Sequence, residues 1–200
     1  MMSADHPAAE IPGCSFGVAG TAQSPVSTED LERLEQTIGW TAENARLLER
    51  YTSLFQRHAE QMVDAWRAVI AAQPHLAQWF FAPDGKSDDE YKARVKQRFV
   101  QWVVDVATRP HDRDWLDYQE EIGLRHTPAK KNKTDGRQTP LWVPLRYLLG
   151  FLPVVTEIRS VLESEITDAG ELRALERAWT KAVHLHVVLW SRPYVTDGLW

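Results

Sequence analysis

Two hundred residues, 44% of them apolar, suit one domain with its own core, or a domain with a tail. A net charge of −5 and a sequence pI near 5.8 give no electrostatic case for nucleic acid. No apolar run approaches the ~18 residues of a membrane-spanning helix, and no basic-then-apolar start marks a signal peptide. The single cysteine, Cys14, excludes an internal disulfide and fits a reducing cytoplasm. The nine tryptophans suit a tightly packed helix core or the lining of a flat, bulky ligand, and core packing accounts for most of them.

Residues 1 to about 26 are rich in Ala, Pro, Ser and Gly and read as an irregular extension, its front disordered. Within it, Ile11-Pro12-Gly13-Cys14-Ser15-Phe16-Gly17 sets apolar groups among turn residues. Ser27 or Thr28 caps a first helix whose apolar side is Leu31, Leu34 and Ile38. Thr41-Ala42-Glu43-Asn44 starts a longer second helix, with Leu47, Leu48, Tyr51 and Leu54 or Phe55 as its stripe. A third carries Met62, Trp66 and Val69, and Pro74 ends it or opens a short turn. Pro83-Asp84-Gly85 is a turn.

Asp88 or Asp89 begins a helix to about Thr108, with Tyr91, Val95, Phe99, Trp102 and Val106 on one side. After the helix around 115–126 comes a polar loop to Thr139. An apolar helix from about Trp142 to Glu165 follows, kinked at Pro153, and a last helix runs from Asp168 or Ala169 to Trp190. No strand alternation and no internal repeat is present, so the chain reads as all-α, one layer of helices over another with a groove between.

The helix Trp115-Leu116-Asp117-Tyr118-Gln119-Glu120-Glu121-Ile122-Gly123-Leu124-Arg125-His126 organises the rest. Trp115, Tyr118, Ile122 and His126 step by three or four residues and share a face. Pro128 stops the helix at or soon after His126. An imidazole at the end of an apolar stripe can point one nitrogen into a pocket while the other donates to the Ile122 carbonyl, the geometry of a proximal haem ligand. A lone histidine on an apolar helix face is, however, more often a core or boundary residue. Of the other histidines, His184 and His186 are two apart and face different ways, so they cannot chelate one metal. No Cys-x-x-Cys-His is present, so a haem would be held non-covalently.

The run from Trp115 to His126, with Lys130-Lys131-Asn132-x-Thr134-Asp135, resembles the proximal helix and following loop of the protoglobins, single-domain haem proteins related to the globin-coupled sensors. Ile11 to Gly17 resembles the N-terminal extension that packs over the haem edge in that family, with Cys14 in place of an aromatic. The resemblance runs from Ile11 to Trp190-Ser191-x-Pro193-Tyr194-Val195 and implies a globin fold over 27–200, with an extra N-terminal helix and the extension at 1–26.

It further implies that His126 is the axial ligand of a non-covalent haem b, that Trp66 and Phe99 are distal residues, and that Leu148, Phe151 and Val155 are pocket positions. Val95, Tyr118 and Ile122 join them from the two apolar stripes. Arg67 stands where the family often has Tyr. Its head group either reaches out along its stem or meets a carboxylate, a haem propionate or the bound ligand. Arg98 and Arg125 either pair with a propionate or make surface salt bridges, whereas Lys130, Lys131 and Lys133 read as a solvated loop.

The function implied is gas binding or sensing, with O₂, CO or NO at an open iron position. The alternative is a haem enzyme with peroxidase-like, NO dioxygenase or carbene-transfer activity, and a haem-free helical interaction domain is a third reading. A homodimer through the last two long helices is implied as well, since Leu149, Leu172, Leu175, Trp179, Val183, Leu185 and Val188 exceed what one inner face uses, unless the N-terminal helices cover them.

Overall fold

The computed structural model describes residues 11–195 and 198–200, so the expectation of a disordered front at residues 1–10 lies outside the described residues. From Ile11 to Val26 the chain is irregular, a series of turns and bends. Helix α1 (Thr28–Ile38) is capped by Ser27, whose side chain accepts from the Asp30 amide, and ends where Gly39 turns left-handed at φ 68°. Thr41 and Asn44 form a reciprocal capping box for α2 (Ala42–Arg50). The chain breaks at Tyr51, so Leu54 and Phe55 belong to the next helix, α3 (Thr52–Ala72). Pro74 opens the one-turn α4 (Pro74–Ala77), and a 3-10 turn, Gln78–Phe80, follows. Asp88 caps α5 (Asp89–Thr108) and Asp112 caps α6 (Arg113–Leu124). Each such cap satisfies an amide that the helix start leaves free, worth about 1 kcal/mol.

The expected long helix over 142–165 is three short pieces: α7 (Leu145–Gly150), α8 (Leu152–Thr156) and α9 (Arg159–Leu162). Pro153 sits in the first turn of α8, where its missing amide costs nothing, so it restarts a helix instead of kinking one. An extended Glu157 makes the second break. Asp168 then caps α10 (Ala169–Ser191), which ends in a 3-10 turn, Arg192–Tyr194. Among the described residues there is no strand, only one isolated bridge between Phe81 and Ser87. Among the described residues no helix is long and apolar enough to cross a membrane.

Helix α3 packs on α5, and α10 packs across α6, α2 and α8. Trp66, Trp102 and Trp179 meet between these layers, and Phe55 stacks on Trp179 at 5.0 Å. A second cluster places Leu31 of α1 with Trp115 and Leu116 of α6 and Leu185 and Leu189 of α10. Burying such side chains is worth about 1.5–3 kcal/mol each, so α1 fastens α6 to α10.

The same packing corrects the surface argument for a dimer. Leu172, Leu175, Trp179, Val183 and Leu185 are buried within the chain, and Val188 is half-buried. Of that set only Leu149, 47% exposed on α7, faces out.

Candidate functional site

A cavity of about 260 Å³ opens between α5 and α6, walled at the side by α7 and α8. That is far more room than the ~10–15 Å³ one water needs. Eleven of the twelve residues named from sequence line it: Arg67, Val95, Arg98, Phe99, Tyr118, Ile122, Arg125, His126, Leu148, Phe151 and Val155. The twelfth, Trp66, does not. Its indole is buried behind Phe99 at 5.3 Å, between Trp102 and Trp179, and so backs the wall.

Helix α6 ends at Leu124, two residues before His126: the Arg125 amide still bonds to the Glu121 carbonyl four residues back, whereas the His126 amide bonds to the Gly123 carbonyl three back, which tightens the last turn. The end of α6 can lie close on α10 because residue 123 is glycine. A Cβ there would sit 3.1 Å from Trp190 main-chain atoms and from Pro193 Cγ. The His126 carbonyl accepts from the Val143 amide at 2.8 Å and from Tyr194 Oη at 3.0 Å, which anchors the backbone.

His126 Nδ1 lies 2.8 Å from the Ile122 carbonyl oxygen. A carbonyl only accepts, so Nδ1 carries the proton and Nε2 keeps its lone pair. Burial holds the imidazole's pKa down to about 4, against the opposing pull of the Ile122 bond, with Lys131 and Arg125 lowering it further. The ring is therefore neutral at ordinary pH, the form a metal needs. Among the described residues no cluster of three or more His, Cys, Asp or Glu could hold an ion by itself. A metal at His126 would thus arrive with most of its ligands, as iron does in a porphyrin.

Opposite His126 the wall is aromatic. Phe99 is supported by Trp66 and by Trp102 at 5.4 Å. The Arg67 guanidinium, 3.4 Å from the Lys92 carbonyl and 3.8 Å from Asp64, is turned toward the protein. Pairing with protein groups is thus the alternative that the geometry favours for it.

The two arginines considered for propionates are already engaged. Arg98 donates both terminal nitrogens to Asp135, at 2.9 and 2.7 Å, and one of them to the Pro12 carbonyl. Arg125 bonds to Glu121 at 3.3 Å and to Ser15 Oγ at 2.9 Å, and Lys130 adds a second cation to Glu121. These bonds clamp the segment around Ile11–Gly17 against α5 and α6, with Phe16 edge-on to Tyr118 at 5.7 Å and Cys14 Sγ 3.5 Å from Tyr118 Oη.

Comparison with known families matches the protoglobin model over residues 27–200. The chain belongs to the protoglobin family. Its fold is the all-α globin fold. A solved structure described as the globin domain of a Geobacter sulfurreducens globin-coupled sensor is similar to it, with TM-score 0.66, 18% identity, and 82% of this chain and 97% of that one covered. No curated protein sequence matches the chain. Membership makes this a globin-type haem protein, which accords with one neutral histidine facing an apolar cavity.

Other residues of this protoglobin's site escaped the sequence reading. Lys131, read as part of a solvated loop, is buried and lines the cavity, as do Trp79, Asp135, Tyr147 and Trp190. His186 is buried behind Trp102, whose Nε1 donates to His186 Nδ1 at 2.9 Å. Its Nε2 is buried without a hydrogen-bond partner among the described residues, and its ring stands edge-on to Trp115 at 5.1 Å. The signal was present: Trp179, Val183, His186 and Trp190 step by four, three and four along α10. No comparable local signal marks Lys131, because its burial depends on Trp79 and Thr139.

Proposed function

We propose that this protoglobin holds one non-covalent b-type haem through His126 Nε2 and reversibly binds a diatomic gas, O₂, CO or NO, beside Phe99, as a gas-binding or gas-sensing protein. The observation that carries this reading is the 2.8 Å bond from His126 Nδ1 to the Ile122 carbonyl, since it leaves Nε2 as the donor atom toward the cavity. When bound, haem supplies a ferrous iron with one open coordination position for the gas.

The chain's own residues supply the rest. The Ile122 carbonyl fixes the imidazole's tautomer and orientation and raises its basicity. Phe99, backed by Trp66 and Trp102, keeps the opposite side apolar and excludes water. Leu148, Phe151 and Val155 close the side wall. Arg67 stays with the Lys92 carbonyl and the Asp64 carboxylate, so the gas is confined chiefly by apolar groups.

The test is haem titration of the apo chain with the ferrous spectrum as readout. His126→Ala should lose most of the haem or recover it only with added imidazole. An unchanged ferrous spectrum in that variant would remove His126 as the ligand.

A homodimer and a cytoplasmic setting complete the reading. The family resemblance and the open Leu149 on α7 support the first, and Cys14 as the single cysteine supports the second. A 22.9 kDa monomer in sedimentation at roughly tens of micromolar would overturn the dimer.

A further inference from the structure

Among the described residues four cationic side chains line the cavity: Arg67, Arg98, Arg125 and Lys131. Three have carboxylates within 4 Å, namely Asp64, Asp135 and Glu121 respectively. Lys131 has none among the described residues, although it is the most buried of the four at 3% exposure. Its Nζ donates to the Trp79 carbonyl at 2.9 Å and to Thr139 Oγ1 at 2.6 Å, and it sits 5.2 Å over the Tyr91 ring. Those two bonds use two of the ammonium's three N–H groups. Burial alone pulls its pKa down to about 8, the direction taken by a cation removed from water without a counterion.

The same corner holds a second unused donor. Trp79, whose carbonyl holds Lys131, also lines the cavity, and its indole Nε1 is buried without a hydrogen-bond partner among the described residues. A buried donor left unpaired costs about 1–3 kcal/mol, and an unpaired buried charge costs more. Both penalties are relieved by one group: an anion bearing acceptor oxygens inside an otherwise apolar cavity.

We propose that Lys131 Nζ and Trp79 Nε1 form an anion subsite of the cavity that takes a propionate carboxylate of the haem. The assignment rests on the haem reading of His126. It gives Lys131, rather than Arg98 or Arg125, the role of carboxylate partner. Those two arginines instead hold Asp135, Glu121 and the N-terminal segment in place.

The experiment titrates apo-protein with haem and with haem dimethyl ester, whose propionates carry no charge, in the wild-type chain, Lys131→Met and Trp79→Phe. In the wild type the ester should bind about 10- to 100-fold more weakly than haem, the range for a hydrogen bond to a charged group. Lys131→Met should weaken haem by a similar factor and leave the ester nearly unchanged, so the penalties overlap instead of adding. Trp79→Phe should weaken haem several-fold while the apo form stays as stable as the wild type, since the lost N–H had no partner. Should Lys131→Met fail to fold, Lys131→Arg, which keeps the charge, and Trp79→Phe carry the same comparison.

Equal haem affinity in Lys131→Met, or an ester penalty that persists unchanged there, overturns the proposal. Overlapping penalties support it. If acetate stabilises the apo wild type but not Lys131→Met while the penalties add, the subsite takes a free carboxylate and the propionate assignment falls. Failure of the wild type to bind either porphyrin would instead strike the haem reading itself.

Discussion

The Trp190 indole lies along the His126 imidazole, ring centroids 6.0 Å apart and planes 23° from parallel. Trp190 is held by Gln119, whose buried Oε1 accepts from the indole Nε1 at 2.9 Å. His126 is therefore positioned from two directions, by a carbonyl of α6 and by an indole from α10. Gln119→Leu strands that N–H in the core and should cost about 1–3 kcal/mol in urea unfolding. In a Trp190→Phe background the same change should cost much less. Equal losses in both backgrounds would show that the bond carries no stability.

Two glycines should respond with opposite signs. Gly123→Ala places a Cβ 3.1 Å from the Trp190 main chain, which cannot yield without moving α10. Overpacking of this kind costs roughly 1–3 kcal/mol, more than the ~1 kcal/mol an alanine gains in a helix. Gly150→Ala meets nothing within 4 Å and should be neutral or gain up to about 1 kcal/mol. Thermal melts of the two variants check both directions.

Arg67→Leu should alter O₂ and CO release together and by about threefold or less, ~0.7 kcal/mol, because the guanidinium donates to the Lys92 carbonyl and lies 3.8 Å from the Asp64 carboxylate. Flash photolysis of CO and stopped-flow O₂ release would measure this. A large, selective acceleration of O₂ release in the variant would mean that Arg67 swings to the gas.

Stability of the apo chain should fall as pH drops below about 6.5, the ordinary histidine value. Burial keeps His126 down to about 4 and His186 well below its ordinary value, with His111 adding to the latter. Below pH 6.5 the unfolded chain takes up two protons that these folded rings refuse. Stability present above that pH is therefore lost by about 1.4 kcal/mol per pH unit for each ring, until the ring's own folded pKa is reached. His58 acts in reverse: its bond to Glu165 raises its pKa, so its contribution is full below 6.5 and fades as pH rises. It is one group against two, and the net slope should follow the two. Urea midpoints from pH 7.5 to 5 test the sign, and a flat profile would contradict it.

Local chemistry was legible in the sequence. Ser27, Thr41, Asp88 and Asp168 mark helix starts, and the structure places caps at those residues. Capping and helix faces depend on groups within about four residues, so the chain states them directly. The bond from His126 to the Ile122 carbonyl is of the same kind, spanning four positions even though α6 itself stops at Leu124. The split of 142–165 into α7, α8 and α9 was half visible: Pro153 announced a break, but the second break at Glu157 carries no proline or glycine.

Tertiary structure decided the partners. Arg98 finds Asp135 37 residues away and the Pro12 carbonyl 86 away, and Trp102 finds His186 across 84. Lys131 left the expected solvated loop because Trp79 and Thr139 close over it. Whether a charged side chain ends in water, in a salt bridge or against a cavity depends on which distant segment covers it. The reason is physical: desolvation and pairing energies are set by every group within a few ångströms, whatever its distance along the chain.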